Sequence, residues 1–271
     1  MPIKIKKMNK RVGKSIRFIW PILVIYLFFI LVQVPDISAE VNLDLIRGAH
    51  RGNSIEFSEN TLPAIENALN DPKYNFIEFD IQYTKDGKII VFHDDSLLRM
   101  QDKSEKISEL TYQELSEISI YHIPLYDEVM DLIEKKKRVN IEIKSQGNLE
   151  DDKKLVDFVI QDAQQRGILD SVLLSSISTD VVKYISLNYP NLKTGKIYLI
   201  HPITYLPFDI LVKDFYQEME DIGADYIMLH GINLRSYEHL IKFKPENKTL
   251  VLWYFTDEMF IIQKDSTDKS W

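Results

Sequence analysis

Segments with strand-like and helix-like patterns alternate along residues 43–256. Apolar side chains recur at every second residue in some segments, which predicts strands, and at every third or fourth in others, which predicts helices. The predicted strands lie at residues 43–50, 76–83, 89–93, 138–145, 171–176, 193–200, 224–230 and 249–255. The predicted helices lie at residues 61–69, 108–118, 124–137, 151–167, 178–188, 209–222 and 235–243. This alternation, without a glycine-rich dinucleotide-binding motif, favours an α/β fold of the TIM (β/α)8 type over an open doubly wound sheet.

The C-terminal region contains no clear eighth strand. After Trp253 the chain reads YFTDEMFIIQKDSTDKSW, and only residues 260–262 form a short apolar run. A barrel that lacks one strand would expose a sheet edge and admit water to its interior. We therefore expect a TIM-type barrel over residues 43–271 whose eighth strand is poorly accounted for, and the sequence leaves open whether the C-terminal region closes it. This expectation leaves open the alternative of a truncated, non-catalytic surface binding module.

A basic segment and a long apolar run begin the chain. Residues 1–17 carry seven Lys or Arg and no acid, and residues 18–34 carry no charge. An apolar run of this length is short for a membrane span and long for a signal-peptide core. The positive charges predict that the first segment stays in the cytoplasm and that the chain beyond the apolar run is exported. We expect a single-pass anchor in the cell membrane, or a secreted protein if the signal is cleaved, with a linker at residues 35–42.

The charge of the exported part argues against nucleic acid as a partner. The whole chain has 33 Lys and Arg against 41 Asp and Glu, and beyond residue 17 the basic residues number 26, which leaves a net charge of −15. So acidic a domain does not attract nucleic acid by general electrostatics. A phosphate ligand would need a bound cation or a local basic cluster. The chain has no cysteine, which excludes disulfides and thiolate chemistry. Nothing in the sequence indicates an oligomeric state.

Two predicted strands carry charged side chains on the face opposite their apolar residues. Glu78 and Asp80 lie on the second strand, and Glu142 and Lys144 lie on the strand that begins at residue 138. In a parallel barrel the apolar face packs against helices, so the charged face points into the barrel. Buried charge is costly unless it is paired or bound to a metal. We therefore predict that Glu78, Asp80 and Glu142 bind one divalent cation, Ca²⁺ or Mg²⁺, the ions that prefer carboxylate oxygens.

Two histidines lie at the ends of strands beside these carboxylates. His50 and His93 each end a predicted strand, which is where barrel enzymes place catalytic groups. Two histidines around an acidic cluster suggest a general acid and a general base. Arg51 and Lys144 add cationic donors that suit a phosphate group. The combination favours phosphoryl transfer, with phosphodiester hydrolysis as the reaction.

The order of these residues resembles the glycerophosphodiester phosphodiesterase family. The matching motifs are His50-Arg51-Gly52, Glu59-Asn60-Thr61, Glu78-x-Asp80, His93-Asp94 and Glu142-x-Lys144. The resemblance covers roughly residues 45–256 and implies a TIM barrel with metal-dependent hydrolysis of glycerophosphodiesters. The implied products are sn-glycerol 3-phosphate and an alcohol. A phospholipase D-like enzyme or a phosphatidylinositol-specific lyase on a related barrel is the alternative, although the Arg-Gly after His50 favours the first family.

The resemblance also implies roles for single residues. His50 and His93 match the acid/base pair, and Glu78, Asp80 and Glu142 match the metal ligands. The positions that match substrate-binding residues are Arg51, Lys144 and Trp253. Glu59 is expected to support the site without binding the metal. The implied substrate is a small glycerophosphodiester or a glycerol-phosphate polymer.

The remaining basic and histidine positions are weaker candidates. His230 ends a predicted strand and could line the pocket. We expect His122, His201 and His239 to be surface or structural residues, and the basic run at residues 135–138 to be a solvated helix end. The predicted anchor leads into the first strand at the bottom of the barrel, and that strand ends with His50 at the opposite, upper end. We therefore expect the active site to face away from the bilayer.

Overall fold

The strands of the protein form one closed barrel. The computed structural model describes residues 45–199, 209–231, 233, 237–254 and 260–263. The strands are β1 (Leu45–Ala49), β2 (Phe76–Tyr83), β3 (Ile89–Val91), β4 (Arg138–Ile143), β5 (Val172–Ser176), β6 (Thr194–Tyr198), β7 (Tyr226–His230), β8 (Thr249–Trp253) and β9 (Phe260–Gln263). Seven of them run parallel in the spatial order β1-β2-β4-β5-β6-β7-β8, and β3 pairs with the upper half of β2 as an antiparallel hairpin.

The short C-terminal strand β9 completes the ring. It lies antiparallel between β8 and β1, where Ile262 pairs with Val251 on one side and with Ile46 on the other. The eighth strand that the sequence left poorly accounted for is therefore this antiparallel strand, which takes the place of the eighth parallel strand of a (β/α)8 barrel. The sequence pattern pointed to residues 260–262 only as a candidate, because four residues are too few to show a clear period of two. A parallel eighth strand would also need a crossover connection, whereas an antiparallel strand needs only a short turn.

Eight α-helices of the described residues surround the barrel or its loops. They are α1 (Leu62–Asn70), α2 (Leu98–Gln101), α3 (Tyr112–Ile118), α4 (Tyr126–Ile133), α5 (Leu149–Arg166), α6 (Thr179–Asn188), α7 (Asp209–Ile222) and α8 (Tyr237–Phe243). Single 3₁₀ turns lie at Ile107–Glu109 and Leu169–Ser171. The order of strands and helices confirms the predicted α/β alternation, with boundaries that differ by a few residues.

Two helix boundaries differ for local reasons. The helix predicted from residue 108 begins at Tyr112, because Thr111 and Glu114 form a capping box at that point. The helix predicted to end at residue 137 ends at Ile133, because Glu134 takes a left-handed φ of 50°. In both cases the helical spacing of apolar residues extends beyond the end of the helix in the structure. The helix boundary is set by the capping residues, which the spacing does not reveal.

The basic run at residues 135–138 is only partly a solvated helix end. Lys137 is half-buried, and its Nζ donates to the carbonyl oxygens of Ala68 at 2.8 Å and Asp71 at 2.6 Å. These carbonyls end helix α1, so Lys137 caps a helix that lies 66 residues or more away in sequence. The prediction was wrong for Lys137, because sequence spacing does not show which distant helix end a lysine reaches.

The barrel divides its apolar residues between two cores. The odd-numbered residues of β2 and β4, such as Ile77 and Ile141, face outward and pack with α1, α4, α5 and α6 in one large cluster. Inside the barrel, Phe76, Tyr226 and Trp253 belong to a separate cluster. Glu78 and Asp80 have the same side-chain direction as Phe76, since side chains alternate along a strand. Their charges therefore lie inside the barrel, as predicted.

Among the residues described, no helix is both long and apolar enough to cross a membrane. The predicted basic segment at residues 1–17, the apolar segment at residues 18–34 and the linker at residues 35–42 all lie outside the described residues.

Gly48 provides a test of packing inside the barrel. A Cβ atom at this position would lie 2.2–2.7 Å from three ring carbons of Phe76. We expect Gly48→Ala to lower the free energy of unfolding by about 1–3 kcal/mol, since the buried ring has to shift. Urea denaturation measures the loss. Adding Phe76→Leu to Gly48→Ala should restore part of it, and a loss below about 0.5 kcal/mol for Gly48→Ala would contradict the packing described here.

Candidate active site

A tight turn after β1 brings His50 and Arg51 over the barrel. Arg51 has a left-handed φ of 59° and Gly52 one of 75°. A side chain at Gly52 would meet the backbone of Ala64 at 2.7 Å, so only glycine allows α1 to approach this closely. The backbone N–H of Arg51 donates to Glu78 Oε2 at 2.8 Å. The turn is thus tied to the strand that carries the first acidic residue.

Three carboxylates converge inside the upper part of the barrel. One ligand oxygen from each of Glu78, Asp80 and Glu142 lies within 4.8 Å of the others. Asp80 and Glu142 are direct neighbours in the parallel pairing of β2 and β4. Glu78 and Asp80 are fully buried, and Glu142 is 6% exposed. The structure therefore brings together the three carboxylates that the sequence pattern grouped.

The cluster is not stable as three anions. Burial, and then Asp80 and Glu142, raise the pKa of Glu78 well above its usual range. Burial also raises the pKa of Glu142 to about 7. Burial acts in the same direction on Asp80, but Lys144, His93 and Arg51 outweigh it and hold that pKa well below its usual range. Asp80 is therefore the most fully ionised of the three at neutral pH, since adjacent buried carboxylates oppose one another's ionisation.

The donor set fits a divalent cation. Three carboxylate oxygens form the hard-ligand environment that Ca²⁺ and Mg²⁺ prefer. Glu78 Oε1 is buried and has no hydrogen-bond partner among the described residues, so the protein leaves one ligand oxygen unsatisfied. A bound cation would satisfy this oxygen and allow all three carboxylates to ionise. Glu78, Asp80 and Glu142 could therefore hold a metal ion.

Two basic side chains offset the charge of the cluster. Lys144 Nζ lies 2.9 Å from Asp80 Oδ1 and 2.7 Å from Glu142 Oε1. Arg51 Nε lies 3.4 Å from Asp80 Oδ2. Burial lowers the pKa of Lys144, but Asp80 and Glu142 outweigh it and raise that pKa above its usual value. Both side chains therefore place positive charge directly beside the acidic cluster.

The two histidines have different surroundings. His50 is 5% exposed and packs edge-on against Trp253, with ring centroids 6.1 Å apart. Burial, and then the charge of Arg51, lower the pKa of His50 to about 3. His93 is more exposed, and its Nδ1 lies 2.5 Å from Asp94 Oδ1. Burial lowers the pKa of His93 as well, but Asp80 and the hydrogen bond to Asp94 oppose the shift. His50 is therefore a neutral proton acceptor at neutral pH, while His93 has an acidic partner.

A cavity of about 290 Å³ connects the second histidine with the acidic cluster. Its lining includes His93, Glu142, Lys144, Gln82 and Ile177. A second cavity of about 500 Å³ lies on the other side of His93 and is lined in part by Asp94, Leu98 and Arg99. Volumes of this size suit a small ligand.

The structure also places the weaker candidates. Trp253 is buried between His50 and His230. The ring centroids of Trp253 and His230 are 4.8 Å apart. His122 is half exposed beside Glu128, and His239 is exposed to a similar degree beside Asp209, which agrees with surface positions. His201 lies outside the described residues.

Several site residues were missed by sequence reasoning. Asn60 Nδ2 donates to Asp80 Oδ2 at 2.8 Å, and Gln82 Nε2 donates to the carbonyl oxygens of Phe92 and Asp94. Gln82 continues the polar face of β2, so alternation could have included it. Asn60 belongs to the Glu59-Asn60-Thr61 motif, but nothing in the sequence indicated that its side chain contacts Asp80. Arg99 follows His93 by six residues in a segment without a clear pattern, and no sequence signal marked it.

The fold and the site define an α/β-barrel protein with a buried acidic site at the carboxyl ends of its strands. The sequence profile of the Glycerophosphoryl diester phosphodiesterase family matches residues 50–227, which is more than half of the chain. The chain belongs to this family. The resemblance noted from the motifs is thereby confirmed.

Individual relatives agree with this assignment. The chain is 36% identical over 109 residues to a glycerophosphodiester phosphodiesterase from Bacillus altitudinis, covering 36% of this chain and 44% of that protein. It is 30% identical over 161 residues to a glycerophosphodiester phosphodiesterase from Caldanaerobacter subterraneus, covering 55% of this chain and 65% of that protein. The chain thus aligns with less than two thirds of the length of either relative.

Solved structures share the fold. A glycerophosphodiester phosphodiesterase from Thermotoga maritima matches with a TM-score of 0.58 and 25% identity, over 78% of this chain and 87% of that chain. A phosphodiesterase from Oleispira antarctica, solved with the product sn-glycerol-3-phosphate, matches with a TM-score of 0.61 and 20% identity, over 78% of this chain and 84% of that chain. At 20% identity, the match to the Oleispira protein shows only that the two chains share a fold.

The neutral His50 predicts a specific pH dependence of stability. In the absence of metal its pKa is about 3 in the folded protein, against the usual 6.5. The unfolded chain therefore binds a proton that the folded chain does not, and stability is lost as pH falls below 6.5. With a chelator present, we expect the wild type to lose up to about 1.4 kcal/mol per pH unit more than His50→Asn. Urea denaturation between about pH 6.5 and 4.5 measures this difference.

A matched substitution controls for the loss of any imidazole. His122 is 52% exposed at its side chain, so His122→Asn removes an imidazole from the surface and is measured beside His50→Asn. Equal pH dependence for wild type and His50→Asn would contradict the buried, neutral state of His50.

Proposed function

We propose that the protein hydrolyses glycerophosphodiesters to sn-glycerol 3-phosphate and an alcohol. The observation that carries this proposal is the convergence of three buried carboxylates with His50 and His93 at the mouth of one barrel. Membership of the family supports it. The similarly folded Oleispira phosphodiesterase binds sn-glycerol-3-phosphate, which is the product proposed here.

The two histidines divide the proton transfers. His50 is neutral because it is buried, so it accepts the proton of the attacking hydroxyl group, which belongs to water or to the 2-hydroxyl of glycerol. His93 acts in its protonated form: its Nδ1–H bonds to Asp94, and its Nε2–H donates a proton to the departing alkoxide, which leaves a neutral imidazole with its proton on Nδ1. A second proton transfer then returns each imidazole to its starting state.

The basic and aromatic residues bind the substrate. Arg51 and Lys144 donate to phosphate oxygens, and Trp253 forms an apolar wall for the glycerol carbons beside His50. Lys144 bonds to Asp80 and Glu142 through two of its three N–H groups, so one remains for a phosphate. A divalent cation held by Glu78, Asp80 and Glu142 would polarise the phosphate and offset the charge that develops on phosphorus.

A substrate panel tests the reaction. The full chain is assayed with glycerophosphocholine, glycerophosphoethanolamine and glycerophosphoglycerol, with Ca²⁺ or Mg²⁺ and with a chelator. We expect release of sn-glycerol 3-phosphate that stops with the chelator and returns with the metal. His50→Ala should lower kcat by at least about 100-fold, because general-base catalysis is lost, while circular dichroism shows a folded protein.

Intact phosphatidylcholine and phosphatidylinositol, added to the same panel, separate the alternatives. A cyclic phosphate released from an intact phospholipid would indicate the lyase, and free choline with phosphatidic acid would indicate the phospholipase D-like enzyme. No turnover of any substrate in the wild type would support a binding module.

We also propose that the N-terminal residues anchor the protein in the cell membrane with the barrel outside the cytoplasm. The support is the uncharged run at residues 18–34 behind seven basic residues. The chain enters β1 at its lower end, and β1 delivers His50 at the opposite end of the barrel. The site then faces away from the bilayer, which favours soluble glycerophosphodiesters or glycerol-phosphate polymers as substrates.

Fractionation tests this placement. We expect the full chain to stay with membranes in alkaline carbonate, and a chain that begins at Asn42 to be released, because the apolar run is the anchor. Protease added outside intact cells should degrade the barrel. Recovery of the uncleaved full chain in the cytoplasmic fraction would contradict the proposal, and recovery in the medium would indicate a cleaved signal.

A further inference from the structure

Arg99, in the short helix α2, binds two carboxylates that come from different parts of the chain. Its NH1 donates to Glu59 Oε2 at 2.8 Å and its NH2 to Glu59 Oε1 at 2.6 Å. Its Nε donates to Asp94 Oδ2 at 2.7 Å and its NH2 also to Asp94 Oδ1 at 3.0 Å. Both carboxylates are bound in a two-point manner, which is the strong geometry for a guanidinium group.

Each of these carboxylates holds a second side chain of the site. Glu59 Oε1 accepts a hydrogen bond from Arg51 NH1 at 2.8 Å. Asp94 Oδ1 lies 2.5 Å from His93 Nδ1. A continuous series of side-chain hydrogen bonds therefore runs from Arg51 through Glu59, Arg99 and Asp94 to His93.

The series depends on its central cation. The side chains of Glu59 and Asp94 are only 14% and 19% exposed, whereas that of Arg99 is 46% exposed. Burial raises the pKa of Glu59 and of Asp94, but Arg99 is the largest opposing influence and both pKa values lie below their usual range. Without the guanidinium, two half-buried anions would face each other and turn toward water.

We propose that Arg99 is a positioning residue that aligns His93 and Arg51 with each other across the mouth of the barrel. It holds Asp94 against the imidazole and Glu59 against the guanidinium of Arg51. One side chain thereby sets the distance between a proton donor and a phosphate-binding group. This inference rests on the proposed function, since it assigns Arg99 to the geometry of the same reaction.

Lysine cannot replace arginine in this role. A guanidinium is planar and presents donors along two edges, so it can bind two carboxylates at once, whereas an ammonium is a single point charge. Arg99→Lys keeps the charge and loses the bridge. The substitution therefore separates the geometry of the bridge from its contribution to net charge.

Arg166 is a matched control for a multiply paired arginine. It contacts Asp131 at 2.6 Å, Asp162 at 2.7 Å and Asp127 at 3.7 Å, and its side chain is 24% exposed. It joins helices α4 and α5 on the outside of the barrel. Arg166→Ala should lower the melting temperature and leave kcat unchanged.

The first test is kinetic and uses the full chain in detergent with glycerophosphocholine. We expect Arg99→Ala and Arg99→Lys each to lower kcat by about 100-fold, the size of effect that a displacement of about 1 Å produces. KM should rise no more than about tenfold, because Arg51 and Lys144 remain. Millimolar guanidinium should restore part of the kcat of Arg99→Ala and none of that of Arg99→Lys.

The second test does not depend on turnover. The hydrogen bond to Asp94 keeps the proton of neutral His93 on Nδ1, and ¹⁵N NMR reports which ring nitrogen carries it. The His93 signal is assigned by its loss in His93→Gln. We expect Arg99→Ala to shift this signal toward a mixture of tautomers, and Arg166→Ala to leave it unchanged.

Three results would overturn the inference. One is a kcat for Arg99→Ala within about twofold of the wild type. Another is a kcat loss that equals the unfolded fraction and does not respond to guanidinium. The third is an unchanged His93 tautomer in Arg99→Ala. An inactive wild type would count against the proposed function, and the tautomer measurement would then decide the role of Arg99 alone.

Discussion

Burial of three carboxylates inside the barrel is the constraint on which the rest of the structure depends. Glu78, Asp80 and Glu142 lie on adjacent strands and face the interior, where water cannot solvate them. Isolated buried anions are costly, so the surroundings must supply positive charge. Lys144 and Arg51 supply part of it, and the unsatisfied Glu78 Oε1 indicates that the compensation is incomplete. A divalent cation bound by the three carboxylates would complete it, and the stability of the barrel would then depend on the same ion as its function.

The same constraint explains the difference between the two histidines. His50 lies deep in the barrel beside Trp253, where burial and nearby cations keep it neutral. His93 lies at the surface of the mouth and gains an acidic partner, Asp94. Burial lowers the pKa of both histidines, but only His93 has an adjacent carboxylate, Asp94, that favours its protonated form. Arg99 connects His93 with Arg51 through hydrogen bonds to Asp94 and Glu59.

Much of this arrangement could be predicted from local sequence pattern. Alternation along β2 and β4 placed Glu78, Asp80 and Glu142 on one face, because the period of two is set by the backbone. The contacts of Asn60, Arg99 and Lys137 could not be predicted, since each depends on a distant segment that only the folded chain brings near. The closing strand β9 was only a short candidate at residues 260–262, because an antiparallel strand of four residues leaves almost no pattern.

Isothermal titration calorimetry of the metal-free protein with CaCl₂ and MgCl₂ tests the central role of the acidic cluster most directly. We expect one ion per chain in the wild type, and at least about tenfold weaker binding in Glu142→Gln, because one ligand oxygen loses its charge. Asp162→Asn, which alters a carboxylate paired with Arg166 outside the barrel, should bind as the wild type does. No binding at millimolar concentrations, or equal affinity in Glu142→Gln, would contradict the assignment of this cluster as a metal site.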